Sequence, residues 1–180
     1  MCDHASVTDG DGHLVRNRGQ VFDLQRLRGD HADAVLTFEQ VNRAYFALTI
    51  TDRGDDFFAT FAQRHAALLA EQGAGVSAFH VLVDEDGAVV GRFNLYDLVD
   101  GGADVGYRIA ERVSGRGVAT AALRTLCRVA GEEYGLRRLK AGTSTENVAS
   151  QRVLTKAGFV ALGPTEVAGR SGYEYERAVP

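Results

Sequence analysis

The sequence predicts an α+β fold, in which helices pack on a mixed β-sheet. Residues 77–83 and 88–98 are rich in β-branched and aromatic side chains and flank the turn sequence DEDG, which predicts an antiparallel hairpin. A strand near 104–109 leads into a helical stripe and then into a strand at 136–144, which predicts a crossover connection. With 180 residues, of which 45% are apolar and 24% charged, one folded domain with its own core is expected.

Three elements precede the hairpin. Residues 21–28 have the composition of a strand, and Asp30 is in the position of a helix N-cap ahead of an apolar stripe that reaches Val41. Apolar and aromatic residues recur at steps of three and four within Asp55–Gln72, which predicts a second helix.

The second half of the chain supplies the remaining elements. An apolar stripe over 119–134 predicts a helix that ends at Gly135. Thr143 and Glu146 have the spacing of a capping box for a short helix at 147–157. Two strands, FVALGPTEV and GYEYERAV, complete the order β-α-α-β-β-β-α-β-α-β-β.

Composition and charge narrow the class of protein. A net charge of -4 does not suit a nucleic-acid clamp, and no apolar run of membrane-spanning length is present, so neither nucleic acid nor membrane is expected as a partner. Cys2 and Cys127 are predicted to be free thiols in a reducing, cytoplasmic compartment. The five histidines lack metal-ligand spacing, so no metal is expected. Residues 1–19 are predicted to be a flexible extension, with local pairing as an equal alternative, and residues 20–180 a single domain.

The segment ERVSGRGVAT combines a glycine-rich turn with the start of a helix. Glycines let backbone N–H groups converge, and the first helical turn adds unpaired donors and the positive end of the helix dipole. The segment therefore suits a pyrophosphate, although a tight turn without a ligand is the simpler alternative. Neither the G-K-[ST] phosphate loop nor the dinucleotide fingerprint is matched. Its candidate binding residues are Arg112, Gly115, Arg116, Gly117, Val118, Ala119 and Thr120.

A second polar group lies on the next predicted helix. Asn147, Ser150 and Leu154 are at i, i+3 and i+7 and so share one face. Polar side chains beside an apolar one suit contact with a long, partly apolar ligand. The alternative is that Asn147 only caps the helix and Ser150 is solvated.

Together, the two motifs resemble the GNAT N-acetyltransferase superfamily. Its acyl-CoA loop, Q/R-x-x-G-x-G/A, is matched by Arg112, Gly115 and Gly117, and its N-x-x-S…K-x-G-F run by residues 147–159. The strand ADVGY and the opening FDLQRLRGDHADA look most like the RimJ/RimL-type branch, which acetylates protein N-termini and assorted amines.

The resemblance covers about residues 21–179. It implies a central mixed, mostly antiparallel twisted sheet of about six to seven strands, flanked by about four helices, with a splayed cleft between two central strands. It also implies acetyl-CoA as co-substrate, no metal, and direct attack by an amine.

The same resemblance assigns expected roles to the site residues. A backbone N–H near Arg108 or Ile109 would polarise the thioester carbonyl. Asp104 stands at the family's carboxylate position and is the expected base, unless it is only an exposed hairpin residue. Ser150 would return a proton to the CoA thiolate. Asn147 would orient the pantetheine.

Several roles stay open at this stage. Tyr107 could assist the proton transfer or merely pack in the sheet. Glu39, Asp97 and His80 are weaker alternatives for the base.

The acceptor is expected to be a primary amine, either a protein N-terminus or a small molecule such as an antibiotic or an amino acid. Residues 42–57 are the expected lip of its site, where acidic side chains would suit a cationic amine. A catalytically silent acyl-CoA-binding regulatory module is the alternative function, and a plain interaction domain is a third. A homodimer is one option for its assembly.

Overall fold

The computed structural model describes residues 12–180, which form eight strands and six α-helices. The strands are β1 (Gly12–Asn17), β2 (Gln20–Arg26), β3 (Ala78–Val83), β4 (Val89–Val99), β5 (Gly102–Ile109), β6 (Arg138–Ser144), β7 (Val160–Val167) and β8 (Arg170–Ala178). The helices are α1 (Ala32–Val41), α2 (Arg43–Ala47), α3 (Asp55–Ala59), α4 (Phe61–Gly73), α5 (Val118–Glu132) and α6 (Val148–Lys156).

The described strands join one sheet in the order β1-β2-β3-β4-β5-β6-β8-β7. The pair β5 and β6 is parallel, and the other neighbouring pairs are antiparallel. Helix α5 makes the crossover between the two parallel strands. This arrangement confirms the predicted α+β class and the mostly antiparallel sheet, which has one strand more than expected.

The additional strand is β1. It pairs with β2 along its whole length, and the side chain of Val15 is buried in the core. Arg18 and Gly19 both have positive φ, 49° and 84°, and form the two-residue turn whose twist suits a hairpin. Of the two alternatives for the N-terminal segment, local pairing therefore holds for residues 12–17, and residues 1–11 lie outside the described part of the chain.

The single helix predicted over Asp55–Gln72 is two helices, α3 and α4. At Thr60 the backbone leaves the helical region, with φ at -104° and ψ at 15°, and the Thr60 hydroxyl donates to the carbonyl of Asp56 at 2.7 Å. Such a hydroxyl bond to the fourth residue back is known to bend helices. The change of direction lets Phe57 and Phe61 meet edge to face at 5.9 Å in the core.

Strands β5 and β6 separate partway along their length. They are paired from Gly102 to Asp104 of β5, after which β5 runs on to Ile109 and β6 to Ser144 without a shared ladder. The predicted splayed cleft is thus confirmed. Successive side chains of a strand point to opposite faces, so Tyr107 faces α6 while Arg108 faces α1.

Two further findings concern the described residues as a whole. None of their helices is both long and apolar enough to cross a membrane. Residues 12–180 also contain no group of three His, Cys, Asp or Glu side chains arranged to hold a metal ion. The Cys127 side chain is fully buried on α5, and burial raises the pKa of its thiol to about 11, as expected for a core position.

His80 of β3 makes stability depend on pH. Its ring lies 3.2 Å from the Phe93 carbonyl and 3.0 Å from the Tyr134 hydroxyl, and burial lowers its pKa to about 4 from the ordinary 6.5. The native state therefore resists protonation that the unfolded chain accepts below pH 6.5. As the pH falls from 7 to 4, we expect this group to reduce the free energy of unfolding by about 3 kcal/mol.

Urea unfolding at several pH values between 7 and 4 measures this effect. In His80→Gln the decline should be shallower by the same amount, because no proton is taken up at this position. Equally steep profiles for the wild type and the variant would contradict the assignment to His80.

Candidate active site

A cleft opens where β5 and β6 separate. It has a volume of about 400 Å³ and runs from the end of β5 past the glycine turn to α6. A second cavity of about 410 Å³ lies towards β6 and the β7–β8 turn. We call the first the glycine-loop cavity and the second the β6 cavity. Both are lined by Tyr107, Arg108, Asn147 and Ser150, so the two cavities meet at these residues.

The glycine loop forms one wall of the glycine-loop cavity. Gly115 and Gly117 have φ of 71° and 88°, values that favour glycine, and a Cβ at Gly115 would point into open space. The side-chain amide of Asn17, at the end of β1, donates to the Arg116 carbonyl at 3.0 Å. Because the N–H of a trans peptide points away from its C=O, this bond leaves the N–H of Gly117 on the side away from Asn17.

Helix α5 begins directly after this loop. Gly117 occupies the N-cap position, and among the described residues no side chain caps the helix there. The backbone N–H groups of its first turn are therefore available to a ligand at the positive end of the helix dipole. Ala119 and Thr120 of this turn line the cavity, whereas the Val118 side chain is fully buried, so Val118 offers only its backbone.

Tyr107 and Ser150 form a hydroxyl pair at the junction of the cavities. Their oxygen atoms are 3.0 Å apart, and the Tyr107 ring stacks on Phe93 with centroids 5.8 Å apart and planes within 8°. Burial raises the pKa of Tyr107 to about 12, although the bond to Ser150 acts in the opposite direction. The phenol is therefore protonated at neutral pH and can serve as a proton donor.

Asn147 begins α6 and fixes the position of Ser150. Its side-chain oxygen accepts a hydrogen bond from the Ser150 N–H at 3.1 Å, so Asn147 is the N-cap of this helix. The predicted capping box of Thr143 and Glu146 is wrong, since both precede the observed cap. With its oxygen engaged in the cap, Asn147 has its amide N–H₂ left to offer at the cavity that it lines.

Most of the predicted site residues come together at this junction. Those that line the glycine-loop cavity are Tyr107, Arg108, Ile109, Gly115, Gly117, Ala119, Thr120, Asn147 and Ser150.

Of the other four predicted residues, Arg116 lies in the glycine loop and Val118 in the first turn of α5, whereas Arg112 and Asp104 lie elsewhere. Arg112 lies within the short 3-10 turn Glu111–Val113 after β5, and its guanidinium pairs with Asp84 at 2.5 Å. Asp104 is exposed at the point where β5 and β6 part, on the sheet face opposite to Tyr107. Neither side chain lines the glycine-loop cavity or the β6 cavity.

The weaker candidates for the base are also displaced or engaged. His80 is buried against Tyr134, and Asp97 is exposed at the irregular end of β4. Glu39 is 2% exposed, and its two oxygens accept hydrogen bonds from Arg92 and Arg108 at 3.1 and 3.0 Å. Both oxygens of Glu39 are thus engaged by guanidinium groups, and Glu39 lines neither cavity.

The structure adds residues that the sequence analysis missed. Arg152 and Lys156, four positions apart on α6, line the glycine-loop cavity, where their charge suits phosphate groups. Their helical spacing from Ala149 was the available signal. Tyr45 of α2 donates to the Ser114 hydroxyl at 2.8 Å and so closes one side of the cavity. No local pattern links two residues so far apart in sequence.

Comparison with known proteins gives the family. The model of the acetyltransferase (GNAT) domain matches residues 22–160, well over half of the chain. The chain is 27% identical over 148 residues to the "Probable N-acetyltransferase YjcK" of Bacillus subtilis (strain 168), and this alignment covers 79% of the chain and 82% of that protein.

Solved structures show the same fold. Ribosomal-protein-S5-alanine acetyltransferase from Vibrio fischeri has a TM-score of 0.80 at 19% identity, covering 88% of this chain and 93% of that one. Mycobacterium smegmatis RimJ, in complex with CoA-disulfide, has a TM-score of 0.79 at 24% identity, and the match covers 94% of this chain and 86% of that one. With the family model matched and the fold shared, the chain belongs to the GNAT acetyltransferase family.

Proposed function

We propose that this acetyltransferase moves the acetyl group of acetyl-CoA to a primary amine, either a protein N-terminus or a small molecule. The observation that carries the proposal is the meeting of two cavities at the Tyr107–Ser150 hydroxyl pair. One cavity has the features of a coenzyme site and the other leaves room for an acceptor. Two structural relatives are named as a ribosomal-protein-S5-alanine acetyltransferase and a ribosomal L7/L12 alpha-N-protein acetyltransferase, which favours a protein N-terminus.

The glycine-loop cavity fits the coenzyme. Backbone N–H groups at Gly115, Gly117 and the first turn of α5 would hold the pyrophosphate, with Thr120 as a further donor. Arg152 and Lys156 of α6 would add positive charge. Arg116 lies between the two glycines of the loop. Beyond the loop, the unpaired edge of β5 offers main-chain donors and acceptors to the amides of the pantetheine arm.

When bound, acetyl-CoA supplies a thioester that a neutral amine can acylate. The amine lone pair forms the new C–N bond as the C–S bond breaks, and a backbone N–H near Arg108 or Ile109 would stabilise the negative charge that develops on the carbonyl oxygen. Tyr107 would donate its proton to the departing thiolate, with Ser150 as relay or donor. Solvent then reprotonates the phenol.

The proton released by the amine needs a separate route. Among residues 12–180, those that line the two cavities include no aspartate or glutamate. We therefore leave Asp104 out of the direct proton path and propose that the neutral fraction of the amine reacts, its proton passing to water. A rise of kcat/KM with pH that follows the pKa of the acceptor supports this route.

The absence of a lining carboxylate also favours the second candidate, a silent acyl-CoA-binding module. A coupled thiol-release assay with acetyl-CoA and a panel of peptides and small amines separates the two. Turnover with any amine supports the transferase. Tight CoA binding without thiol release for every acceptor supports the silent module.

Gly117→Val tests the coenzyme site. Valine is strained at a φ of 88°, so the loop should shift and its donors disperse. We expect the CoA dissociation constant, measured by calorimetric titration, to rise at least about tenfold.

Gly135→Val is the matched control for this variant. Gly135 also has a positive φ, 63°, but lies beyond the far end of α5. Comparable strain there should lower stability without changing CoA affinity. Wild-type affinity in a folded Gly117→Val protein would overturn the loop assignment.

A further inference from the structure

The wall between the cavities and α1 contains more buried positive than negative charge. Glu39 bonds Arg92 and Arg108 and lies 4.0 Å from Arg53, so three guanidinium groups share one carboxylate. Arg92 is 5% exposed, and its Nε has no hydrogen-bond partner among the described residues. A buried charge without full compensation is costly, which indicates that this surplus has a use.

The acidic side chains expected to attract a cationic acceptor do not offset the surplus. Asp52 and Asp55 both bind Arg43, at 2.6 and 2.7 Å, and Asp56 binds Arg64 at 2.9 Å. Two arginines thus engage three carboxylates, which leaves one negative charge on these side chains against two uncompensated positive charges around Glu39. The lip that the sequence predicts to be acidic has a positively charged wall.

Arg108 brings this charge to the reaction centre. The residue lines both cavities, and its side chain, which is 19% exposed, donates to Glu39 through Nη1 at 3.0 Å. Within residues 12–180, its Nε and Nη2 donate no hydrogen bond. Burial lowers the pKa of Arg108 to about 10, in keeping with a guanidinium whose charge Glu39 offsets only in part.

We propose that the acceptor carries a carboxylate close to its reactive amine and that Arg108, supported by Arg53 and Arg92, binds it. This inference rests on the proposed acetyl transfer and names its substrate class. The backbone of Arg108 lies at the proposed carbonyl site, so the carboxylate must be within the length of one arginine side chain from the amine. A peptide with an acidic residue at its first or second position meets this requirement, and the free fork of Arg108 can bind it bidentately.

The test compares acceptor peptides that differ only by Asp against Asn at the second position. Thiol release should give a kcat/KM at least about tenfold higher for the Asp peptide, as expected for a charge-assisted pair. In Arg108→Gln the ratio of the two kcat/KM values, Asp peptide over Asn peptide, should fall towards one. In Arg53→Gln this ratio should fall by a smaller factor. Arg64→Gln is the control, because Arg64 pairs with the exposed Asp56 rather than with Glu39, and its ratio should match the wild type.

A binding measurement keeps the inference separate from turnover. The N-acetylated product peptides, added with CoA, should bind at least about tenfold more tightly with Asp than with Asn in calorimetric titration. Absence of thiol release with every acceptor counts against the proposed function, and the product peptides then decide this inference. The inference would be overturned if the Asp and Asn peptides had equal kcat/KM values and their products equal dissociation constants. A preference for Asp that persists in Arg108→Gln would also overturn it.

Discussion

Tyr107→Phe should lower kcat by about 10²- to 10³-fold while leaving the affinity for acetyl-CoA within about twofold of wild type. The variant keeps the ring that stacks on Phe93, so packing in the sheet is retained. It loses the hydroxyl that bonds Ser150 and that, with a pKa of about 12, stays protonated across the assay range. Single-turnover and steady-state thiol release together separate loss of chemistry from slow product release.

Tyr45→Phe is the matched control for this prediction. Tyr45 lines the same cavity, but its hydroxyl bonds Ser114 of the glycine loop at 2.8 Å, away from the junction. Its removal should alter coenzyme affinity more than kcat. If Tyr107 and Ser150 act as one unit, the double variant Tyr107→Phe/Ser150→Ala should lose little more than either single variant. Wild-type kcat in Tyr107→Phe would exclude the phenol as proton donor.

The coenzyme side of the site was predictable because its signals are local. Glycines that need positive φ, the start of a helix, and a polar pair at i and i+3 all follow from short segments of sequence. The loop at Gly115–Gly117 and the face with Asn147 and Ser150 consequently lie where the pattern places them. The remaining local errors concern boundaries, such as the cap of α6 and the break at Thr60.

The acceptor side was not predictable, because it depends on contacts between distant parts of the chain. Arg112 matched a motif, yet the β3–β4 turn supplies Asp84 as its partner. Residues 42–57 were expected to attract a cationic acceptor through their acidic side chains. The sequence does not show that Arg43 binds two of these carboxylates. Glu39 and Arg108 are 69 positions apart, and their pairing follows only from how α1 packs on the sheet.

Glu39→Gln should be among the most destabilising single substitutions at the site. Glutamine has nearly the same shape as glutamate but carries no charge, so Arg92 and Arg108 would stay buried without their counterion. Removal of one partner from a buried charge pair typically costs about 3–5 kcal/mol, a large part of the stability of an ordinary domain. Urea unfolding monitored by circular dichroism measures the change.

Glu132→Gln supplies the matched control for Glu39→Gln. Glu132 pairs with Arg128 at 2.6 Å on the outside of α5, where both side chains are about half exposed. An exposed pair of this kind contributes little, so the control should lose less than about 1 kcal/mol. Since the two substitutions are chemically identical, the difference between them measures the burial of the charge. If Glu39→Gln lowers the free energy of unfolding as little as Glu132→Gln does, the three arginines do not depend on Glu39. The positive charge of the wall would then need another source of compensation.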